Sequence, residues 1–246
     1  MNVNTKTSPL DSHRLDQVVG FDLNRQVRDV VFSPSEPLSR LIWSPTPAWK
    51  RGIDLVASAV AVVLLSPLLF LIAIYIRSVS RGPAIFRQSR LGEMGRPFII
   101  YKFRTMYSDD SELATSEHRE YVSGRAELDE VIAKPDLAHR LIPGGAFLRQ
   151  RSLDELPQLV NVLIGNMSLI GPRPDVLDWS DYTAWQRKRF EVKPGISGLW
   201  QVSGKNRLSF SRMMELDIEY IERRSFWFDM WIAMRTIRLI LSKDNC

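Results

Sequence analysis

The hydrophobic pattern divides the chain into three stretches. Residues 1–48 are polar and punctuated by Ser and Pro, with Val27, Val30, Val31, Leu38, Leu41, Ile42 and Trp43 scattered among them. Leu55 to Ile76 then reads LVASAVAVVLLSPLLFLIAIYI, a nearly continuous apolar run of 22 residues. Beyond it, apolar positions recur at short periods. Ala84-Ile85-Phe86-Arg87 and Phe98-Ile99-Ile100-Tyr101-Lys102-Phe103 predict a β-hairpin with its turn at residues 92–95. Residues 108–134, rich in Asp, Glu and Ser, predict a solvated and weakly helical segment. Leu156, Leu159, Val160 and Leu163 repeat at helical spacing. Residues 179–190 predict an amphipathic helix, and residues 216–241 a last helical region. The aromatics of that region, Trp227, Phe228 and Trp231, stand among basic residues, which fits a helix lying in a membrane interface or a core helix.

At 1.5 Å per residue the apolar run reaches roughly 33 Å, enough for a bilayer core. Ser66-Pro67 stands at its middle, where a proline removes a helix hydrogen bond and bends the chain. Lys50 and Arg51 precede the run and Arg77 and Arg81 follow it, so the positive-inside tendency offers no direction for a crossing. All apparent chemistry lies downstream. These features predict a re-entrant helix that enters and leaves on one side of the membrane.

Lysine and arginine number 33 against 28 acids, a net charge of +5. Such a balance suits nucleic acid, an anionic membrane face or a phosphate-rich substrate, and the apolar run counts against nucleic acid. The one cysteine, Cys246, excludes a disulfide framework within a monomer. The opening residues, MNVNTKTSPLDSHRLDQVV, lack the apolar core of a signal peptide. Asp109, Asp110, His118 and His139 have no accompanying metal-ligand set.

Candidate chemistry concentrates in residues 147–175, FLRQRSLDELPQLVNVLIGNMSLIGPRPD. With Asp154 as N-cap of the helix that carries Leu156, Leu159, Val160 and Leu163, Pro157 becomes its third residue, whose N–H position needs no intrahelical partner. The helix end would then keep Asp154 ionised and attract phosphate, with Arg149, Arg151 and Arg173 as further cationic donors. An ionised carboxylate beside bound phosphate suits covalent catalysis through an aspartyl phosphate. The repulsion between the two anions calls for a divalent cation, with Glu155 as a further ligand. Ser152 and Glu155 also fit a capping box, a purely structural device. Arg173, between Pro172 and Pro174, starts from a narrow range of directions, which suits a diphosphate.

Residues 152–174, SLDELPQLVNVLIGNMSLIGPRP, resemble the core motif of the bacterial sugar transferases, the monotopic polyprenyl-phosphate phosphoglycosyl transferases. Further matching pieces are Lys50-Arg51-x-x-Asp54, Pro83-Ala84-Ile85-Phe86-Arg87-Gln88-x-Arg90-x-Gly92, Lys102-Phe103-Arg104-Thr105-Met106 and Lys193-Pro194-Gly195-Ile196-Ser197-Gly198. Gln150 and Asn166 depart from the pattern, where a basic and an acidic residue are usual. The resemblance implies an α+β, mostly helical fold: a polar extension (1–48), a re-entrant membrane helix hairpin with its kink at Ser66 and Pro67 (49–80), and a small cytoplasmic catalytic domain with a short β-hairpin and interfacial amphipathic helices (81–242).

It also implies transfer of a sugar-1-phosphate from a UDP-sugar to polyprenyl phosphate such as undecaprenyl phosphate. Asp154 would be the nucleophile and UMP the leaving group, in the first membrane step of polysaccharide or glycoconjugate synthesis. Asp154 and Glu155 would hold Mg²⁺, and Arg149, Arg173, Lys102 and Arg104 would hold phosphates. The loop over 196–205 would help shape the nucleotide-sugar site. The expected place is the cytoplasmic face of the bacterial inner membrane, with membrane lipids as partners and association into a homo-oligomer left open. A non-catalytic membrane-surface scaffold accounts for the charge and the apolar run, but gives no reason for Asp154 and Glu155 to stand among arginines and prolines.

Overall fold

The apolar run folds as part of a 32-residue helix, Ala48–Val79 (α1). The computed structural model describes residues 45–107, 111–129 and 137–242. Residues 1–44, which include most of the expected polar extension, lie outside the described residues, as do Asp109, Asp110 and Cys246. Pro67 does not interrupt the helical backbone as the sequence predicts: α1 runs through it. Pro67 has no N–H for the carbonyl of Val63, and the Ser66 hydroxyl takes its place, donating to that oxygen at 2.8 Å. Val56, Val60, Val63, Leu64, Phe70, Leu71 and Ile74 leave the middle of α1 as an exposed apolar surface. It is the one helix among the described residues long and apolar enough to cross a membrane.

Both ends of α1 are fastened to the rest of the fold. Near its start, Lys50 pairs with Asp229 at 2.5 Å, and Asp54 accepts the backbone N–H of Leu169 at 3.0 Å. Arg51 donates to the carbonyls of Val162 and Leu163. Near its end, Ile72 and Ile76 enter a core with Ala84, Phe103, Ile142 and Leu148. The hydroxyl of Tyr75 donates to the carbonyl of Pro143 at 3.1 Å.

The predicted hairpin forms from Ile85–Leu91 (β1) and Pro97–Phe103 (β2), antiparallel, with Phe86 opposite Lys102 and Arg90 opposite Phe98. Side chains alternate across a strand, so Arg90 and Lys102 share one face of the ribbon. The turn needs Gly95 at φ +69°, where a Cβ would come within 2.7 Å of the Trp179 ring.

Ser111–Leu128 (α2) packs Val122 inward and ties down neighbouring loops through Arg140–Glu117 and Arg119–Asp178. Gly145–Gln150 (α3) leads into the central stretch, and Gln158–Ile164 (α4) follows it. The buried side chain of Asn161 in α4 accepts from Tyr101 N–H at 3.0 Å and donates to Ile99 O at 2.6 Å. It satisfies the open edge of β2 as a further strand would.

Ser168–Ile170 (β3) pairs in parallel with Gly195–Ser197 (β4). A Cβ on Gly195 would lie 2.1 Å from the nitrogen of Gly171, so this crossing admits only glycine. The expected helix over 179–190 is instead two short 3₁₀ turns, Trp179–Asp181 and Gln186–Glu191; Asp178 and Asp181 form a capping box around the first. Leu199–Ser203 (α5) precedes the last helical region, which is two helices, Phe210–Arg223 (α6) and Phe226–Leu241 (α7). Ser225 separates them, accepting the Phe228 N–H as an N-cap. Along α7, Trp227, Met230, Trp231, Met234, Ile237 and Leu241 form an exposed apolar face while Ile232 is buried. One side of α7 thus packs into the core, with Ile232, Phe228, Ala233 and Leu239, and the other is left as an apolar surface.

Candidate active site

Asp154 and Glu155 sit in a short 3₁₀ turn, Leu153–Glu155, placed ahead of α4. This corrects the expected cap: Asp154 is not the N-cap of the helix, because Pro157 directly precedes Gln158 and starts α4 afresh. Ser152 makes no side-chain cap bond, so the capping box does not form either. Ser152 instead takes a left-handed backbone, φ +53°, that is unusual for a residue with a side chain. Strain of this kind concentrates at functional sites.

The two carboxylates have opposite surroundings. Glu155 is gripped by Arg173, whose Nη1 lies 3.1 Å from Oε2 and whose Nη2 meets Oε1, and by Lys102 Nζ, 3.0 Å from Oε1. Burial alone would raise its pKa, but the charges of Arg173 and Lys102 outweigh this and hold it well below the usual carboxylate range. Asp154 is 9% exposed and receives no hydrogen bond among the described residues. Burial, reinforced by the negative Glu155, pushes its pKa up to about 6, against the pull of Lys102, Arg149 and Arg173. Asp154 therefore remains largely ionised at neutral pH, but its helix end is not the reason.

The cations converge from three elements. Lys102 comes from β2, Arg173 from the proline-bounded loop after β3, and Arg149 lies exposed on α3 within electrostatic reach of Asp154. Arg104 is not among them. It is buried at the end of α1, donating to Ser80 O at 3.1 Å, to Ser80 Oγ at 2.8 Å and to Arg81 O, and so closes the C-terminus of that helix. Ser66 and Pro67 stand in the exposed middle of α1.

Arg90, which the sequence offers only as part of a motif shared with the family, belongs to the cluster. Burial lowers its pKa to about 10, opposed by Asp175, and it also feels Arg173 and Glu155. The signal that marks it is strand alternation, which puts it on the ribbon face of Lys102. A cavity of about 150 Å³ opens beside Glu155 and Ser152. Its walls are Leu156 and Leu159, then Ile196, Ser197, Gln201, Val202 and Lys205 from the loop expected to shape the donor site, and finally Thr236, Leu239 and Ile240 of α7.

Residues 46–243 match the family described as bacterial sugar transferase. The chain belongs to the bacterial sugar transferases. Among similar members is the UDP-glucose:undecaprenyl-phosphate glucose-1-phosphate transferase of Caulobacter vibrioides, 36% identical over 235 residues, covering 91% of this chain and 80% of that protein. The undecaprenyl-phosphate galactose phosphotransferase of Salmonella typhimurium is 37% identical over 80% of this chain and 41% of its own length. The exopolysaccharide production protein ExoY of Rhizobium meliloti is 35% identical over 76% of this chain and 83% of its own length. This sugar transferase spans about two fifths of several curated relatives, including the Salmonella protein (41%) and the galactosyl transferase CpsE of Streptococcus agalactiae (42%).

No cluster of three or more His, Cys, Asp or Glu stands ready for a metal among the described residues of this sugar transferase. Mg²⁺ commonly takes one or two carboxylates and completes its shell with substrate phosphates and water, so one free carboxylate suffices for a fit. Asp154 meets that requirement. Both oxygens of Glu155 already face cations, which leaves it suited to orienting Arg173 and Lys102.

Proposed function

We propose that this sugar transferase moves a sugar-1-phosphate from a UDP-sugar to polyprenyl phosphate through a covalent intermediate on Asp154. The observation that carries this reading is the contrast within the acidic pair: Glu155 is locked by two cations, while the buried carboxylate of Asp154 receives no hydrogen bond among the described residues. A desolvated, unbonded carboxylate is a better nucleophile than a solvated one.

An oxygen of Asp154 attacks the β-phosphorus of the donor. The bond from that phosphorus to the bridging oxygen breaks, and UMP departs with the electron pair. An oxygen of the polyprenyl phosphate then attacks the sugar-phosphoryl-aspartate. The Asp154–phosphorus bond breaks, which gives polyprenyl-diphosphate-sugar and restores the carboxylate. Arg173, Lys102, Arg149 and Arg90 balance the charge that accumulates on the phosphate oxygens, an effect commonly worth several kcal/mol. Mg²⁺, held by Asp154 and the substrate phosphates, would lower the repulsion between those anions. The cavity beside Glu155 receives the donor.

The same domain grips both ends of α1 and leaves its apolar middle exposed, which supports a re-entrant helix rather than a crossing one. With the exposed apolar face of α7, this supports a site at the membrane surface, on the cytoplasmic side of the inner membrane in this reading. A water-soluble donor and a lipid acceptor can both reach it there.

The test is UMP release from a panel of UDP-sugars on adding undecaprenyl phosphate to the membrane-reconstituted protein. The parent releases UMP with one or a few donors, and Asp154→Asn releases none above background. Undiminished release by Asp154→Asn overturns the covalent scheme.

A further inference from the structure

Behind Arg173 lies a second charged pair, which meets the site only through the backbone of Arg173. Arg189, 3% exposed, donates through Nη2 to the carbonyl of Arg173 at 2.5 Å and through Nη1 to the hydroxyl of Tyr182 at 3.2 Å. Its counter-charge is Asp217 of α6, fully buried, with Oδ2 at 2.8 Å from Nη2. The guanidinium is flanked by the rings of Tyr182 and Phe190, whose centroids lie 5.6 and 5.7 Å away.

A buried ion pair is weak evidence of stabilisation, because desolvation cancels most of the attraction and an apolar pair of the same size often serves as well. Here the carboxylate of Asp217 gains no hydrogen bond from any other described group. What the pair does achieve is geometric. The loop carrying Arg173 is already tied at Gly171, whose N–H donates to Ser197 O at 2.9 Å, and at Pro172, whose carbonyl accepts Gly195 N–H at 2.9 Å. The Arg173 carbonyl is the next carbonyl along, and its peptide ends on the Pro174 nitrogen, so it has no N–H through which it could be fixed. Arg189 supplies the missing tie.

We infer that Arg189 and Asp217 are positioning residues for the transfer reaction: their pair pins the backbone of Arg173, and thereby aims the guanidinium that holds Glu155 and meets the substrate phosphates. The inference rests on the proposed role of Arg173. Asp217 acts through Arg189, and Arg189 through Arg173. The coupling must therefore vanish when Arg173 can no longer make its two-pronged contact.

The experiment is a double-mutant cycle on the full chain in lipid nanodiscs, with kcat for sugar-phosphate transfer and the Arg173 Nε–Hε NMR signal as readouts. Arg189→Lys keeps the charge but, shorter and without the planar fork, cannot hold Tyr182, Asp217 and the Arg173 carbonyl together. It is expected to lower kcat at least tenfold in the parent and less than threefold in an Arg173→Lys background. The Arg173 signal, assigned by its loss in Arg173→Lys, should shift and broaden in Arg189→Lys. Where Arg189→Lys fails to fold, Tyr182→Phe, which removes one hydroxyl, should show a smaller loss of the same non-additive form. Equal losses in both backgrounds, with the Arg173 signal unmoved, overturn the inference. A parent without transferase activity refutes the proposed function instead, and the NMR signal then decides the positioning role by itself.

Discussion

Lys50 Nζ lies 2.5 Å from Asp229 Oδ2, joining the first turn of α1 to the first turn of α7 across 179 positions of sequence. Asp229 also faces the hydroxyl of Tyr220 at 2.8 Å, and that hydroxyl lies 3.0 Å from the carbonyl of Ile170. A short polar chain thus connects the apolar helix to the strand that leads into Arg173. Both side chains of the ion pair are largely buried, at 5% and 12% exposed. Removing one partner strands the other charge, so Lys50→Met or Asp229→Leu alone should cost about 3–5 kcal/mol, and the double replacement distinctly less. Denaturant unfolding in detergent micelles checks this. Additive losses would deny that the pair acts as a unit.

The topology of α1 gives a second prediction. Accessibility tags placed before Lys50 and after Arg81 should report the same side of the membrane, and Pro67→Leu should shift part of the population to a full crossing. The proline's missing hydrogen bond and the Ser66 hydroxyl on Val63 O are what make a bend at this point inexpensive. Tags on opposite sides in the unaltered protein would contradict the re-entrant arrangement.

Asp154 should leave a mark on the pH dependence of both rate and stability. Its pKa is raised to about 6 by burial and by Glu155. The folded state therefore binds the proton more tightly than the unfolded chain, whose aspartate titrates near 3.9. Keeping Asp154 ionised destabilises the fold, fully so above pH 6, and the penalty fades as pH falls toward 4. Asp154→Asn should raise stability at pH 8 by on the order of 2–3 kcal/mol, with little gain at pH 4, while transfer is lost. In the parent, kcat/KM should fall as pH drops through 6. Thermal unfolding and rate profiles over pH 4–8 test both statements.

For Arg173, lysine is not a conservative replacement. Its ammonium cannot meet both oxygens of Glu155 as the guanidinium does. Arg173→Lys should reduce kcat by about 10- to 100-fold, in line with the loss of one charge-stabilising donor. Near-parental turnover would remove Arg173 from the mechanism.

The exposed face of α7 makes the membrane prediction. Replacing both Trp227 and Met234, 77% and 65% exposed, by Glu should weaken binding to anionic vesicles without changing secondary structure. Quenching of tryptophan fluorescence by brominated lipid reads the depth directly, and unaltered quenching would show that this face does not meet the bilayer.

What the sequence made legible follows from the range of the interactions involved. The hairpin was readable because strand alternation and a Gly-rich turn are local signals, and α1 because its apolar length is unusual. The nearness of Arg173 to Glu155 could be expected from their shared stretch. Arg104 and Arg90 differ from expectation because burial is set by distant partners: Arg104 turns to the end of α1, and Arg90 is buried within electrostatic reach of Asp175. The ionisation of Asp154 was expected from a helix end that Pro157 moved elsewhere. Its actual cause, burial beside Glu155, depends on contacts that no local pattern encodes. The last helical region, expected over residues 216–241, is helical but begins at Phe210 and is parted at Ser225, a cap residue whose signal is hidden among aromatics.

The most direct test of the central claim is to capture the intermediate. The protein in nanodiscs is incubated with a UDP-sugar labelled with ³²P at the β-phosphate, in the absence of polyprenyl phosphate, then quenched in acid, digested and mapped by mass spectrometry. The account predicts one sugar-phosphoryl group on the peptide containing Asp154, discharged to lipid when undecaprenyl phosphate is added before the quench, and missing in Asp154→Asn. Product formed at the full rate with no label ever found on the chain would contradict it.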